Sequence, residues 1–175
     1  VTTLAEGPYD PQRSDGIVAL ITSVLDAGLQ SGCNVYAELG STWRFLMRDP
    51  DSAAHALGKL FKHLGADNVL WGTDSIWYGR PRDQIQAFRS FQISEEFQQR
   101  CGDPAITADM RAKVFGLNEL KLYPVAEDVL RQHLGGDAVA RARENYRNAP
   151  DPTFLSCGPK NRREFLNFLA WGGSG

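Results

Sequence analysis

Asn68-Val69-Leu70-Trp71-Gly72-Thr73-Asp74-Ser75 decides the reading of this chain. It has the form of a short apolar strand that ends abruptly in Gly-Thr-Asp-Ser. Gly65-Ala66-Asp67 closes a helix just before it. In α/β barrels, catalytic groups sit at the C-terminal tips of buried parallel strands. Asp74 is therefore the first candidate. Strand alternation puts Leu70, Gly72 and Asp74 on one face, and Gly72 leaves room beside the carboxylate. In that position Asp74 is a metal ligand or a base that takes a proton from bound water. The competing structural reading is an ordinary turn or N-cap aspartate.

Outward from this stretch, helices and strands alternate. Ile17, Leu20, Ile21, Val24 and Leu25 recur at helical spacing, so a helix is predicted over 16–27 with Asp15 as its cap. Asn34–Leu39 reads as a strand. Asp49 and Pro50 open a helix to Leu64, with proline at its favoured first position, and Gly65 stops it. Such short βα connections make parallel strands, here 34–39 and 69–73 side by side, joined by a right-handed crossover through helix 50–64. After Asp74 the pattern turns helical, over 82–91, 94–100, 107–115, 118–123, 125–134 and 137–147, with a last amphipathic helix near 161–170. Two strands do not make a stable core, and a (β/α)8 barrel needs about 250 residues. The expected organisation is the C-terminal part of a barrel over 1–124 and a helical extension over 125–175.

Composition narrows the function classes. The chain has 175 residues, 42% hydrophobic and 23% charged, with a net charge of −2. This balance gives no general pull toward nucleic acid or anionic membrane. The charge is uneven, −5 over 1–130 and +3 over 131–175, as expected of a basic tail on an acidic body. Cys33, Cys101 and Cys157 are odd in number and far apart. They fit reduced thiols and a cytoplasmic location better than a disulfide framework or zinc knuckle.

Other candidates surround Asp74. Glu38, near the end of the first strand, is placed to bind substrate, or to pair with Arg44 or Arg80 in a purely structural role. Ser41, Thr42, Trp43 and Arg44 follow it in a predicted loop. Trp77, Tyr78, Arg80 and Arg82 would line a pocket for an anionic aromatic substrate, since arginine pairs well with carboxylate; packing of these aromatics on the next helix is the structural alternative. His55, His63 and His133 form neither His-x-His nor His-Glu-x-x-His. The first two are eight apart on one helix with Lys59 between them, and they read as surface or helix-end residues.

Three stretches in order carry a resemblance: Asn34-Val35-Tyr36-Ala37-Glu38, Val69-Leu70-Trp71-Gly72-Thr73-Asp74, and Lys113-Val114-Phe115-Gly116-Leu117-Asn118-Glu119-Leu120-Lys121-Leu122-Tyr123. They resemble the seventh strand, eighth strand and closing helix of the amidohydrolase-related metal-dependent TIM barrels, the group that includes aminocarboxymuconate-semialdehyde decarboxylase. The resemblance implies a distorted (β/α)8 barrel, bound zinc and a small-molecule substrate. It implies Asp74 as metal ligand and catalytic base, with the histidine ligands on a missing N-terminal barrel portion that would precede Val1. The chain would then be part of a metal-dependent hydrolase, inactive in isolation, or of a decarboxylase of the same family. A non-catalytic interaction or scaffold domain is the reading from a different class. Self-association into a homo-oligomer stays open.

Overall fold

A computed structural model describes residues 5–123, 125–134, 136–150 and 163, with Glu127 described by its backbone alone. The chain divides into two compact units, Val1–Pro124 and Val125–Gly175.

The first unit is built around one helix. α1 spans Gly16–Asp26, and β1 is Ala37–Glu38. α2 spans Gly40–Leu46, α3 Pro50–His63, and β2 Val69–Leu70. α4 is Ser75–Tyr78, α5 Arg82–Ser90, α6 Glu95–Cys101, α7 Ala108–Ala112 and α8 Asn118–Leu122. A 3-10 turn at Ala66–Asn68 leads into β2, and a π-helical turn at Lys113–Leu117, kinked at Gly116, joins α7 to α8. α3 starts where its caps place it. The Asp49 carboxylate accepts the N–H groups of Asp51 and Ser52, and Pro50 occupies the first turn. Every residue of α3 from Ser52 to Phe61 is buried, which marks a helix packed on all sides. Leu57 and Leu60 meet Ile21 and Val24 of α1 and Trp43 and Leu46 of α2 in one continuous core.

α1 begins differently from its expected start. The Asp15 side chain makes no cap bond and is held instead by Arg13 at 3.0 Å. The first-turn N–H of Ile17 goes to Glu6 Oε1 at 3.2 Å. Glu6 also receives the ammonium of Lys59 from α3 at 2.5 Å, and Lys59 donates to Gly7 O at 2.8 Å. Both partners are almost fully buried, with 2% and 5% of their side-chain surfaces exposed. This ion pair ties the N-terminal segment across α1 and α3.

The barrel expectation is overturned. The described residues are mostly helical, and they hold a single sheet of two parallel strands, not a (β/α)8 barrel or a recognisable part of one. Each strand has only two residues. The Asn68 side chain donates to Cys33 O and Val35 O at 2.6 and 2.8 Å, fixing the approach to β1 outside any ladder. Gly40 turns directly into α2, and Gly72 brings no β-forming side chain after β2. The pairing itself is parallel, with Ala37 opposite Val69 and Glu38 opposite Leu70. Two loop expectations change with it: Ser41–Arg44 lie in α2, and Ile76–Tyr78 in the single turn α4.

Aromatic packing supports the sheet from the α5 side. Trp71 meets Phe88 at 5.2 Å and Phe115 at 4.8 Å, and Phe88 meets Trp43 edge-on at 5.3 Å. Such pairs each contribute about 0.5–1.5 kcal/mol beyond their buried area.

The second unit contains α9, Glu127–Leu134, and α10, Ala138–Asn148. Asp137 caps α10 by accepting the N–H of Ala140 at 2.6 Å. None of its described side chains is buried. The helix expected near 161–170 lies outside the described residues, apart from Arg163. Among the described residues, no helix is long and apolar enough to cross a membrane.

Candidate functional site

The parallel pair delivers Glu38 and Asp74 to the same end of the sheet. Asp74 follows β2 after three residues of extended chain, and its backbone is left-handed, with φ 45° and ψ 35°. It is the only described non-glycine residue with positive φ. Aspartate visits this region more readily than most residues because its short side chain bonds locally. Here the bond is long-range. Asp74 Oδ2 accepts the Ser41 backbone N–H at 2.8 Å and the Ser41 hydroxyl at 2.5 Å. The carboxylate thus sits on the first turn of α2 and leaves its own helix, α4, without a side-chain cap.

Tyr78 extends this chain of bonds. Its hydroxyl lies 3.1 Å from Ser41 Oγ. Serine has one hydroxyl proton, and Asp74 takes it, so the tyrosine hydroxyl is the donor to Ser41. Phe45 packs edge-on against the Tyr78 ring at 5.6 Å. Oδ1 of Asp74 accepts no hydrogen bond from the described residues.

Glu38 is held by backbone and by two glycines. Oε1 accepts the Gly40 N–H at 3.0 Å. A Cβ on Gly72 would lie 1.2 Å from that same oxygen. A Cβ on Gly40 would lie 2.7 Å from Glu38 Oε2 and 3.0 Å from Asp74 Oδ2. Only glycine at both positions lets the two carboxylates approach a common point. Glu38 as a residue is exposed, yet its carboxyl rests against this backbone. That desolvation, with the negative charges of Asp74 and Glu119 nearby, raises its pKa against the opposing pull of the Gly40 N–H. No described cation pairs with it; Arg44 and Arg80 do not reach it in an ion pair.

The raised pKa has a measurable consequence. A carboxyl whose folded pKa lies above its unfolded one supports the fold at low pH, and that support is lost as pH rises through the folded value. Glu38→Gln keeps an oxygen for the Gly40 N–H and removes the charge. The variant is expected to melt above wild type at roughly pH 8 and level with it at roughly pH 3, below the unperturbed carboxylate range. A Tm difference that is the same at both pH values would disprove the desolvated position of this carboxyl.

The structure does not gather every residue proposed for substrate contact. Trp77 is 78% exposed, as is its neighbour Ile76 at 85%. Arg80 is exposed too. Tyr78 alone of that loop reaches Asp74, through Ser41. Two side chains that give the site its shape carry weaker sequence signals. The Gln84 side-chain amide of α5 donates to Thr73 O at 2.8 Å and so holds the residue before Asp74; the Gln84 backbone carbonyl accepts the Trp43 indole N–H at 3.0 Å. Asn118 donates to Ala66 O and Val69 O at 2.8 and 2.9 Å, which steadies the entry to β2. Asn118 belongs to one of the three family-like stretches; nothing in the sequence around Gln84 distinguishes it from a surface helix residue.

A zinc ion does not fit the donor set present. Zinc sites use about three or four protein ligands, mostly histidine and cysteine. The described residues contain no group of three or more histidine, cysteine or acidic side chains able to hold a metal. His55 and His63 face a separate cavity of about 30 Å³ with Lys59 and Asp103. His55, buried rather than superficial, packs edge-on against Phe97 at 4.8 Å. Zinc is accordingly expected to leave the isolated chain on dialysis, as read by elemental analysis. One tightly held zinc per chain would mean that the donors have been misassigned.

No family model, no curated protein and no solved structure matches this chain.

Proposed function

We propose that this chain carries the acid–base part of a hydrolase site, with Asp74 as the base and Glu38 as a second carboxyl beside it. The strained left-handed backbone of Asp74, held from α2 by Ser41, carries this reading. A non-glycine residue in that region costs about 1–2 kcal/mol, and such outliers cluster at functional sites. A turn residue of no further use would be relieved by glycine; here the strain aims a carboxylate with one oxygen fastened and one free.

In this reading Asp74 Oδ1 takes a proton from an attacking water while Ser41 holds Oδ2 and fixes the carboxylate plane. Tyr78 keeps the serine hydroxyl turned toward Asp74. Asp74, once protonated, returns that proton to the leaving group, and the Glu38 carboxyl, its pKa raised by desolvation, is the second group able to exchange a proton there. A small-molecule ester or amide is the class of substrate for which this division of labour suffices. The resemblance to metal-dependent amidohydrolases points the same way, with Asp74 as the chain's contribution to a metal site. That site would need imidazoles from elsewhere, because the described donors do not complete it.

The deciding measurement is hydrolysis of aryl esters and anilides by the intact protein, compared with its Asp74→Asn variant. A non-catalytic binding domain would show no hydrolysis above background that depends on Asp74.

A further inference from the structure

The two edges of the sheet are finished differently. The Leu39 N–H donates to Leu70 O at 3.0 Å, and Ala37 stands opposite Val69. Alternate residues of a strand direct their peptide groups to opposite edges. Ala37 and Leu39 therefore serve β2, and the peptide groups of Tyr36 and Glu38 turn to the outer edge of β1. On the far side, Val69 turns outward from β2, and the Asn118 amide closes that edge by donating to Val69 O. Among the described residues, no side chain closes the β1 edge in the same way.

A groove of about 390 Å³ lies along this open edge. It is lined by the four consecutive residues 36–39 and by none from β2. Ile17 and Leu20 of α1 and Leu60 of α3 supply its apolar walls. Glu38 is its one charged group, and the charges that act on that carboxyl, Asp74 and Glu119, are both negative. The groove thus offers unpaired strand backbone, apolar walls and one acid in want of a cation.

We propose that the outer edge of β1 docks an extended segment of a partner polypeptide as a third strand, with apolar side chains on Ile17, Leu20 and Leu60 and a lysine or arginine opposite Glu38. Strand addition to an exposed edge draws affinity from main-chain hydrogen bonds and specificity from the pockets for alternate side chains. Exposed edges that are not occupied in this way are usually blunted, as Asn118 blunts β2. The docking site uses the backbone of residues 36–38 and stands whether or not Asp74 acts as a base.

The probe is a blocked heptapeptide that alternates valine with threonine around a central lysine; the control carries glutamate at its centre. Amide hydrogen exchange is followed by NMR. At saturation the lysine peptide is expected to slow exchange of the Tyr36 and Glu38 amides at least tenfold, and the glutamate peptide to bind at least tenfold more weakly. Leu20→Arg crowds the groove and is expected to abolish the protection with the circular dichroism unchanged. If that variant does not fold, Thr42→Arg, on the same groove, replaces it. Asp74→Asn is expected to bind as wild type. No slowing at these two amides with the peptide at about 1 mM, an affinity weak enough to be unspecific, overturns the proposal. So do equal binding of the two peptides and wild-type binding by the folded groove variant. Protection that rises with protein concentration alone also overturns it, because the occupant is then a second copy of the chain.

Discussion

Replacing Lys59 with methionine is expected to destabilise the first unit by about 3–5 kcal/mol, the usual cost of removing one partner from a buried ion pair. Lys59 Nζ lies 2.5 Å from Glu6 Oε2, inside a helix buried on every side. Methionine fills most of the space of the lysine stem. The loss therefore comes from the carboxylate left behind, which loses its counterion away from water. Glu6 is tied further, to the Ile17 N–H through Oε1 and to Ser52 Oγ through its own N–H at 3.2 Å. The strain should spread to the start of α1 and the N-terminus of α3. Urea denaturation of the single and double variants separates charge from packing. Adding Glu6→Gln to Lys59→Met should recover at least half of the loss, since the remaining amide is neutral. A single variant within about 1 kcal/mol of wild type, the range of exposed pairs, would show that the pair is solvated in solution.

The second large effect concerns chemistry. Asp74→Asn in the intact protein is expected to lower kcat by about 10²–10⁴-fold, the usual contribution of a general base. The substitution is well suited to the geometry. Asparagine tolerates the left-handed backbone nearly as well as aspartate, so φ 45° at this position persists. Its side-chain oxygen still accepts the Ser41 N–H and hydroxyl, now at 2.8 and 2.5 Å. The fold and the α2 contact therefore survive, and only charge and basicity are lost. Near wild-type kcat in a folded Asp74→Asn protein would reduce Asp74 to a turn residue. Ser41→Ala offers an independent reading. It removes one of the two bonds to Oδ2 and should lower kcat less than Asp74→Asn, because the base remains.

Much of the local structure was legible in the residues. Asp49-Pro50 and Gly65 bracket α3 as capping chemistry requires, and the structure begins and ends that helix within two residues of them. The strand–helix–strand order foretold a parallel pair, and Ala37 with Val69 and Glu38 with Leu70 form it. Both facts follow from short-range rules: which side chains satisfy the N–H groups of a first turn, and which connections are long enough to reverse the chain. The placing of Asp74 beyond a strand tip is of the same kind, since Gly72 and the change of pattern at Ser75 mark where the extended chain stops.

What the sequence by itself determined, then, is where most elements start and stop and which faces turn inward. The extent of the sheet was a tertiary matter. Alternation of βα units says nothing about how many strands assemble, and family-like motifs at 34–38, 69–74 and 113–123 suggested a barrel that the two-residue strands do not build. Their length was set by Asn68 reaching back to Cys33 and Val35 across more than thirty residues. The site was decided in the same way. Ser41 meets Asp74 only because α2 begins after a single residue, Leu39, beyond the β1 ladder with β2, and Glu38 lies over Gly72 only because that register places it there. Nor could residue type reveal that Lys59 is buried: lysine normally keeps its charge in water, and its counterion, Glu6, is 53 residues away. Contacts between distant segments cost loop entropy and are favoured by the packing of the whole core, so no window of sequence contains them.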